Sequence, residues 1–390
     1  MSYQTVHINP RVALADNTTS ETMASPSASS STSRVSVLVI YTGGTLGMVY
    51  ERKTGQLIPF NFERVLDQVP ELHRLDFDMT LITLRDIIDS SNMKPANWIE
   101  LAQIIRKNYD QFDSFVILHG TDTMAYTASA LSFMLVNLAK PVILTGAQLP
   151  IGVARSDARE NFITALEIAA ATRDGKPIVP EVCVYFNSQL LRGSRAKKQE
   201  SVHFNAFHSE NYPRLALAGV QIEYNTPYIM SGPVGGPFSI RTQLDANVTI
   251  LKLFPGITQP VVEAILGIPD LKGVVLETFG AGNAPTYSWF LEALKNASDR
   301  GIVLFNVSQC EGGRVTQGQY QTSKLLQQIG VVSGADMTTE AAITKLMVVL
   351  GENVPETGDD DRIESRRQQQ ARLDRIRQQL ATPFSGEMSL

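Results

Sequence analysis

Hydroxyl side chains stand in two short glycine-bearing loops of this chain. Thr42-Gly43-Gly44-Thr45 follows the apolar run 35–41, and His119-Gly120-Thr121-Asp122-Thr123 follows the apolar run 115–118. In a parallel α/β sheet, ligands bind beyond the carboxyl ends of the strands, so both loops lie where chemistry is expected. A threonine hydroxyl is a weak nucleophile until a base or a hydrogen-bond relay takes its proton. Asp122 supplies a carboxylate, and Leu191-Arg192-Gly193-Ser194-Arg195-Ala196-Lys197-Lys198 supplies ammonium groups just past a fourth strand. A lysine in dry surroundings near other cations loses proton affinity and can serve as the base, whereas an adjacent aspartate pulls the other way. Threonine, lysine and aspartate thus form a hydrolytic set drawn from three strand ends.

Each piece alone has a plainer reading. The first loop is also an ordinary turn, and the second also N-caps the helix that follows it. Asp89-Ser90-Ser91-Asn92 precedes a helix expected from Pro95 and reads equally as its cap. Lysines at 197 and 198 are usual surface charge. Convergence of all four favours hydrolysis. Residues 42–47 lack G-x-G-x-x-G spacing, and no Walker loop, H-E-x-x-H or C-x-x-C occurs, so neither a metal nor a cofactor is expected. His119, His203 and His208 lack a ligand spacing, and His119 reads as a satisfied, partly buried side chain.

These loops need a scaffold, and the pattern supplies one. Short apolar runs at 35–41, 115–119, 141–145 and 181–186 read as buried parallel strands. Between them lie helix candidates at 95–109, 124–138 and 157–171, the last with Phe162, Leu166 and Ala169 on one face. This βαβ rhythm predicts an α/β fold, with a larger N-terminal doubly wound parallel-sheet domain over 35–220. Residues 221–247 read as a linker. Strand signals at 248–253, 273–278 and 302–305, with helices near 261–266 and 288–297, predict a smaller C-terminal α/β domain over 248–352. Residues 1–34 read as a disordered Ser/Thr-rich extension with no secretory signal. Residues 353–390 read as a charged helical tail in which Ile363, Leu373, Ile376 and Leu380 share a face, solvated or docked on a partner subunit.

Composition narrows the class. Over 390 residues, 34 basic against 39 acidic side chains give −5, no electrostatic footprint for nucleic acid or an anionic membrane. No apolar run approaches the ~20 residues of a membrane span. Two cysteines, Cys183 and Cys310, form no disulfide framework and suit the cytoplasm.

The motifs resemble those of the bacterial L-asparaginase family, nearest its cytoplasmic type I branch. Tyr41-Thr42-Gly43-Gly44-Thr45-Leu46-Gly47-Met48 and residues 118–135 resemble its two signatures. Residues 89–93, 145–150, 155–157, 192–195, 279–285 and 334–338 match further motifs in order. The resemblance covers roughly residues 35–352. It implies hydrolysis of L-asparagine to L-aspartate and ammonia through an acyl-enzyme. Thr45 would be the nucleophile, with Thr121, Asp122 and Lys198 the relay. Asp89, Ser90 and Ser91 would hold the α-carboxylate and amine, with Ala147 facing the leaving amide through its carbonyl. Asn283 would come from a neighbouring subunit of a homodimer or homotetramer. Residues 48–58 match a lid, but Gln56 or Leu57 falls where relatives place a tyrosine, and Tyr320 is the substitute. Glu277 stands near where some cytoplasmic relatives have an activator-binding arginine. The alternatives are a glutaminase-asparaginase of broader specificity and a catalytically silent amino-acid sensor. Deleting 356–390 is expected to leave the chemistry intact.

Overall fold

The computed structural model describes residues 3–8, 34–51, 54, 57–59, 69–233, 235–318, 321–354 and 366–389. In the strands of the two main sheets, β1 is Tyr3–Ile8, β2 Ser36–Tyr41, β3 Asp78–Leu84, β4 Ser114–Leu118 and β5 Val142–Thr145. They are followed by β6 (Val182–Phe186), β7 (Gln189–Arg192), β8 (Ala216–Ala218) and β9 (Ile222–Tyr224). These nine form one sheet in the order β1-β3-β2-β4-β5-β6-β7-β8-β9. The run from β3 to β6 is parallel, and the flanking strands are antiparallel.

Continuous apolar sequence is what a parallel strand covered on both faces requires. In β2, Leu38 and Ile40 enter the core on one face, while Val37, Val39 and Tyr41 enter the core on the other. The helices α1 (Pro95–Asn108), α2 (Met124–Met134) and α3 (Ala158–Ala170) supply those covers. The chain goes from β2 outward to β3, then crosses back to place β4 on the other side of β2. That reversal makes the β2/β4 boundary the topological switch point, the crevice where doubly wound sheets bind ligands. Register levels the strand ends: Tyr41 pairs with Leu118, and Leu118 with Thr145.

The smaller sheet, β10 (Val248–Lys252), β11 (Gly273–Thr278), β12 (Val303–Ser308) and β13 (Val332–Ser333), is wholly parallel. Helices α4 (Gln259–Leu266), α5 (Ser288–Asp299), α6 (Gln321–Ile329) and α7 (Thr339–Glu352) accompany it. Buried side chains of α2, including Leu131 and Phe133, share one core with Leu346 and Val349 of α7 and Phe305 of β12. The two sheets are therefore joined by a continuous apolar contact.

Three expectations change. Residues 3–8 are not part of a disordered extension, because they pair antiparallel with β3 and close that edge of the sheet. The larger sheet continues past residue 220, since β9 pairs with β8 through Tyr224. The tail is neither solvated nor held for a partner. Its helix α8 (Arg366–Ala381) buries Leu373, Ile376 and Leu380 in the shared core of its own chain. Burying such a side chain contributes about 1.5–3 kcal/mol, enough to outweigh the charge around it. Ile363 and residues 9–33 lie outside the described residues.

Candidate active site

Three loops meet at the switch point by packing backbone against backbone. Thr42 donates to Leu118 O through its N–H (3.0 Å) and through Oγ1 (2.9 Å), tying the end of β2 to the end of β4. Thr42 O accepts from Ile88 N at 2.8 Å, which brings in the loop after β3. Gly44 has φ +90°, and a Cβ there would lie 2.5 Å from Gly120 Cα and N. A Cβ on Gly120 would in turn meet Ser90 Oγ at 2.5 Å. No other residue type permits this approach. Thr45 opens a 3-10 turn through Gly47, whose carbonyl accepts from the buried Tyr41 hydroxyl at 3.2 Å.

The second loop is a 3-10 turn, Thr121–Thr123, leading directly into α2. Lys198 Nζ donates to Thr121 Oγ1 at 2.8 Å and to Asp122 Oδ1 at 2.7 Å. Only 17% of the lysine side chain is exposed, against 64% for Asp122, so the cation is sheltered while the carboxylate faces solvent. Lys198 arrives on a two-residue ribbon, Lys197–Lys198 paired with Phe207–His208. With the ammonium donating to it, the Thr121 hydroxyl has its own proton free to point elsewhere. Gln148 Oε1 lies 3.4 Å away in that role.

Asp89 caps its own short turn: Oδ1 accepts from Ser91 N at 3.0 Å and from Ser91 Oγ at 2.7 Å. Those two bonds hold its carboxyl below the usual range. Ser90 is buried and its carbonyl accepts from Thr123 Oγ1 at 2.7 Å, joining this loop to the second. Ala147 is buried just beyond β5. The next two N–H groups, of Gln148 and Leu149, donate to the Asp157 carboxylate at 3.0–3.1 Å, and Asn161 Nδ2 donates to Gly146 O. Gln148 and Asp157 thus shape the site, although polarity alone did not single them out.

His119 lies beneath the second loop, fully buried rather than partly so. Its Nδ1 is 2.7 Å from Gly120 O, which can only accept, so Nδ1 carries the proton. Nε2 then accepts from the Thr127 hydroxyl at 2.9 Å, and Thr127 Oγ1 accepts from Trp98 Nε1 at 3.0 Å. Every polar atom is matched for the neutral ring, and burial pushes its pKa down to about 4.

The structure therefore brings Thr121, Asp122 and Lys198 into direct contact and joins them through backbone to the loops of Thr45 and of Asp89, Ser90 and Ser91. Asn283 stands apart in the smaller domain, in a tight turn where its N–H donates to Phe279 O at 2.8 Å. Tyr320, Gly55 and Gln56 lie outside the described residues. The matched lid segment forms a ribbon in which Tyr50 pairs with Leu57. Glu277 accepts from Thr339 Oγ1 at 2.6 Å and lies 3.1 Å from Lys252 Nζ, a carboxylate already engaged within the smaller domain. A groove of about 740 Å³ lined by Phe133, Arg192, Tyr212, Tyr228 and Phe384 contains none of the loop residues. Among the described residues no helix is long and apolar enough to cross a membrane.

A doubly wound sheet with threonine loops at its switch point and a second, parallel domain defines a two-domain α/β hydrolase. Residues 36–230 match the N-terminal asparaginase domain and residues 247–358 the glutaminase/asparaginase C-terminal domain. Together with the relatives below, this shows that the chain belongs to the asparaginase family. It is 44% identical to L-asparaginase 1 of Escherichia coli K12 over 323 residues, 82% of this chain and 93% of that protein. It is 41% identical to the human 60 kDa lysophospholipase over 339 residues, 81% of this chain but 58% of that protein. The crystal structure of L-asparaginase I from Vibrio cholerae superposes with a TM-score of 0.79 at 37% identity, covering 92% of this chain and all of that one.

Proposed function

We propose that this protein is a cytoplasmic L-asparaginase that hydrolyses L-asparagine to L-aspartate and ammonia. The observation that carries the chemistry is Lys198 Nζ bridging Thr121 Oγ1 and Asp122 Oδ1 on the rim of the switch-point crevice. Thr45 Oγ1 attacks the side-chain amide carbon while its proton passes through the Thr121–Lys198 relay to the amide nitrogen, and the C–N bond breaks to release ammonia. Water then attacks the acyl-threonine ester, its proton returns through the same relay to Thr45 Oγ1, and the ester C–O bond breaks to release aspartate. Asp89, whose carboxylate form is favoured by its two bonds from Ser91, matches the ammonium of an α-amino acid, with Asp122 beside it; Ser90 and Ser91 receive the α-carboxylate. Ala147 faces the leaving amide, and Tyr320 is a supporting residue for the nucleophile. Asn283 completes the site from a second copy in a homodimer or homotetramer.

The test is ammonia release from L-asparagine and L-glutamine side by side, with Thr45→Ala, Thr121→Ala and Lys198→Met. Asparagine turnover is expected, and each variant should lose at least ~10²–10⁴-fold in kcat. Equal turnover of both amides would instead support a broader glutaminase-asparaginase. Folded protein that binds aspartate but turns over neither amide would make the chain a sensor.

A further inference from the structure

The last described residues touch the turn that delivers Lys198. That turn, Gly193–Arg195, is followed by only Ala196 and Lys197 before the lysine. The ribbon on which Lys198 then sits is two residues long on each strand. Phe207 and Ala196 root it in the main core, and the turn before it is held by a second set of contacts. Ser194 Oγ donates to Ser385 O at 3.2 Å, and Arg195 Nε donates to Gly386 O at 2.7 Å. Arg195 Nη2 donates to Ser389 Oγ at 3.2 Å. Arg195 Nη1 lies 3.0 Å from Asp336 Oδ2 in an ion pair. The other oxygen, Asp336 Oδ1, accepts from Ser389 N at 2.7 Å.

The segment that provides these contacts is itself pinned. Lys345 of α7 and Glu387 form an ion pair at 2.7 Å with both side chains fully buried. Lys345 Nζ also donates to Leu380 O and Thr382 O, and the Glu387 carboxylate accepts from Phe384 N and Ser385 N. All these groups are hydrogen-bonded, the condition under which a buried ion pair fixes a geometry instead of loosening it. Gly386 has φ +70°, and a Cβ there would lie 2.3 Å from Arg192 Nη1, so the tail lies flush against the guanidinium.

From this we infer that residues 384–389 are a positioning element of the active site, a clamp that seats the 193–195 turn and through it Lys198 against Thr121 and Asp122. The inference rests on the reading of Lys198 as part of the catalytic relay. A displacement of about 1 Å in such a group costs up to ~10²-fold in rate. Substrate-holding groups on the loop after β3 make no contact with the clamp, so binding and turnover should separate.

The experiment uses the full chain carrying Ser389→Pro, which removes the N–H to Asp336 and the hydroxyl to Arg195, and separately Gly386→Val, which crowds Arg192. Lys198→Met and Ile376→Ala serve as references. The clamp predicts that Ser389→Pro and Gly386→Val each lower kcat about ten-fold with KM changed less than about two-fold. Ile376→Ala, which loosens α8 without touching the turn, should lower Tm and leave kcat and KM unchanged. If Gly386→Val does not fold, Ser389→Pro decides alone. Wild-type kcat in folded Ser389→Pro, or a loss confined to KM, overturns the clamp. Undiminished turnover in Lys198→Met instead removes the relay reading beneath it.

Discussion

Acid should weaken this fold through one side chain, His119. Its neutral ring donates to Gly120 O and accepts from Thr127, which in turn accepts from Trp98. Protonation would reverse the bond to Thr127, turn that hydroxyl's proton away from its acceptor, and put a charge into a dry core. A histidine with a lower proton affinity folded than unfolded binds fewer protons in the native state, so acid favours unfolding. The contribution is fully present above the unfolded pKa of 6.5 and is lost as pH falls toward about 4. At about 1.4 kcal/mol per tenfold change in proton affinity, the span between pH 7 and pH 4 corresponds to about 3 kcal/mol. Urea unfolding of wild type and His119→Asn across that range isolates the effect, because asparagine keeps a donor for Gly120 O and does not titrate. The variant will be less stable at pH 7 through lost packing, but its stability should decline less with acid by about 3 kcal/mol. Parallel pH curves for the two proteins would refute the reasoning. They would mean that the folded histidine accepts its proton as readily as the unfolded one does.

Three further outcomes follow from the same geometry. Lys345→Met should destabilise by about 3–5 kcal/mol in urea by stranding Glu387, whereas Lys345→Met with Glu387→Leu should recover most of that loss. Gly44→Ala, with φ +90° and Gly120 2.5 Å from the added carbon, should cost on the order of 1–3 kcal/mol and reduce ammonia release by separating the loops. Deleting residues 366–390 should abolish cooperative thermal unfolding, since three side chains worth about 1.5–3 kcal/mol each leave the core.

That last outcome reverses the expectation from sequence, and the reason is instructive. The central strands were legible because burial on both faces leaves only apolar residues, and β2, β4, β5 and β6 all show it. The strand-end loops were legible only through their convergence, since each alone also reads as a turn or a helix cap. The tail was half legible. Leu373, Ile376 and Leu380 showed a shared apolar face, but what covers it stayed hidden because Lys345 and Glu387 are residue types that normally face water. Nothing local marks a lysine that is wholly enclosed. Strand β1 was missed because Tyr3-Gln4-Thr5-Val6-His7-Ile8 mixes polar and apolar residues, and the strand it pairs with lies more than seventy residues on. Strand β13, at two residues, is shorter than any period can reveal. Gln148 and Asp157 lay in matched motifs but without a role, because their roles depend on which backbone N–H groups turn toward them, a tertiary fact.

The bonds from Arg195 to Gly386 and Ser389 join positions 191 and 194 residues apart. A ribosome makes the chain from its N-terminus at about 5–20 residues per second, so everything needed to form the large sheet emerges well before the stretch that fastens its lysine turn. A nascent chain can thus hold the crevice, both threonine loops and Lys198 while that turn still lacks these fasteners. A chain cut between residues 354 and 384 would carry every motif with its lysine turn unfastened. Residues 384–389 thus tie the mature geometry of the crevice to a stretch made almost two hundred residues after the turn it fastens.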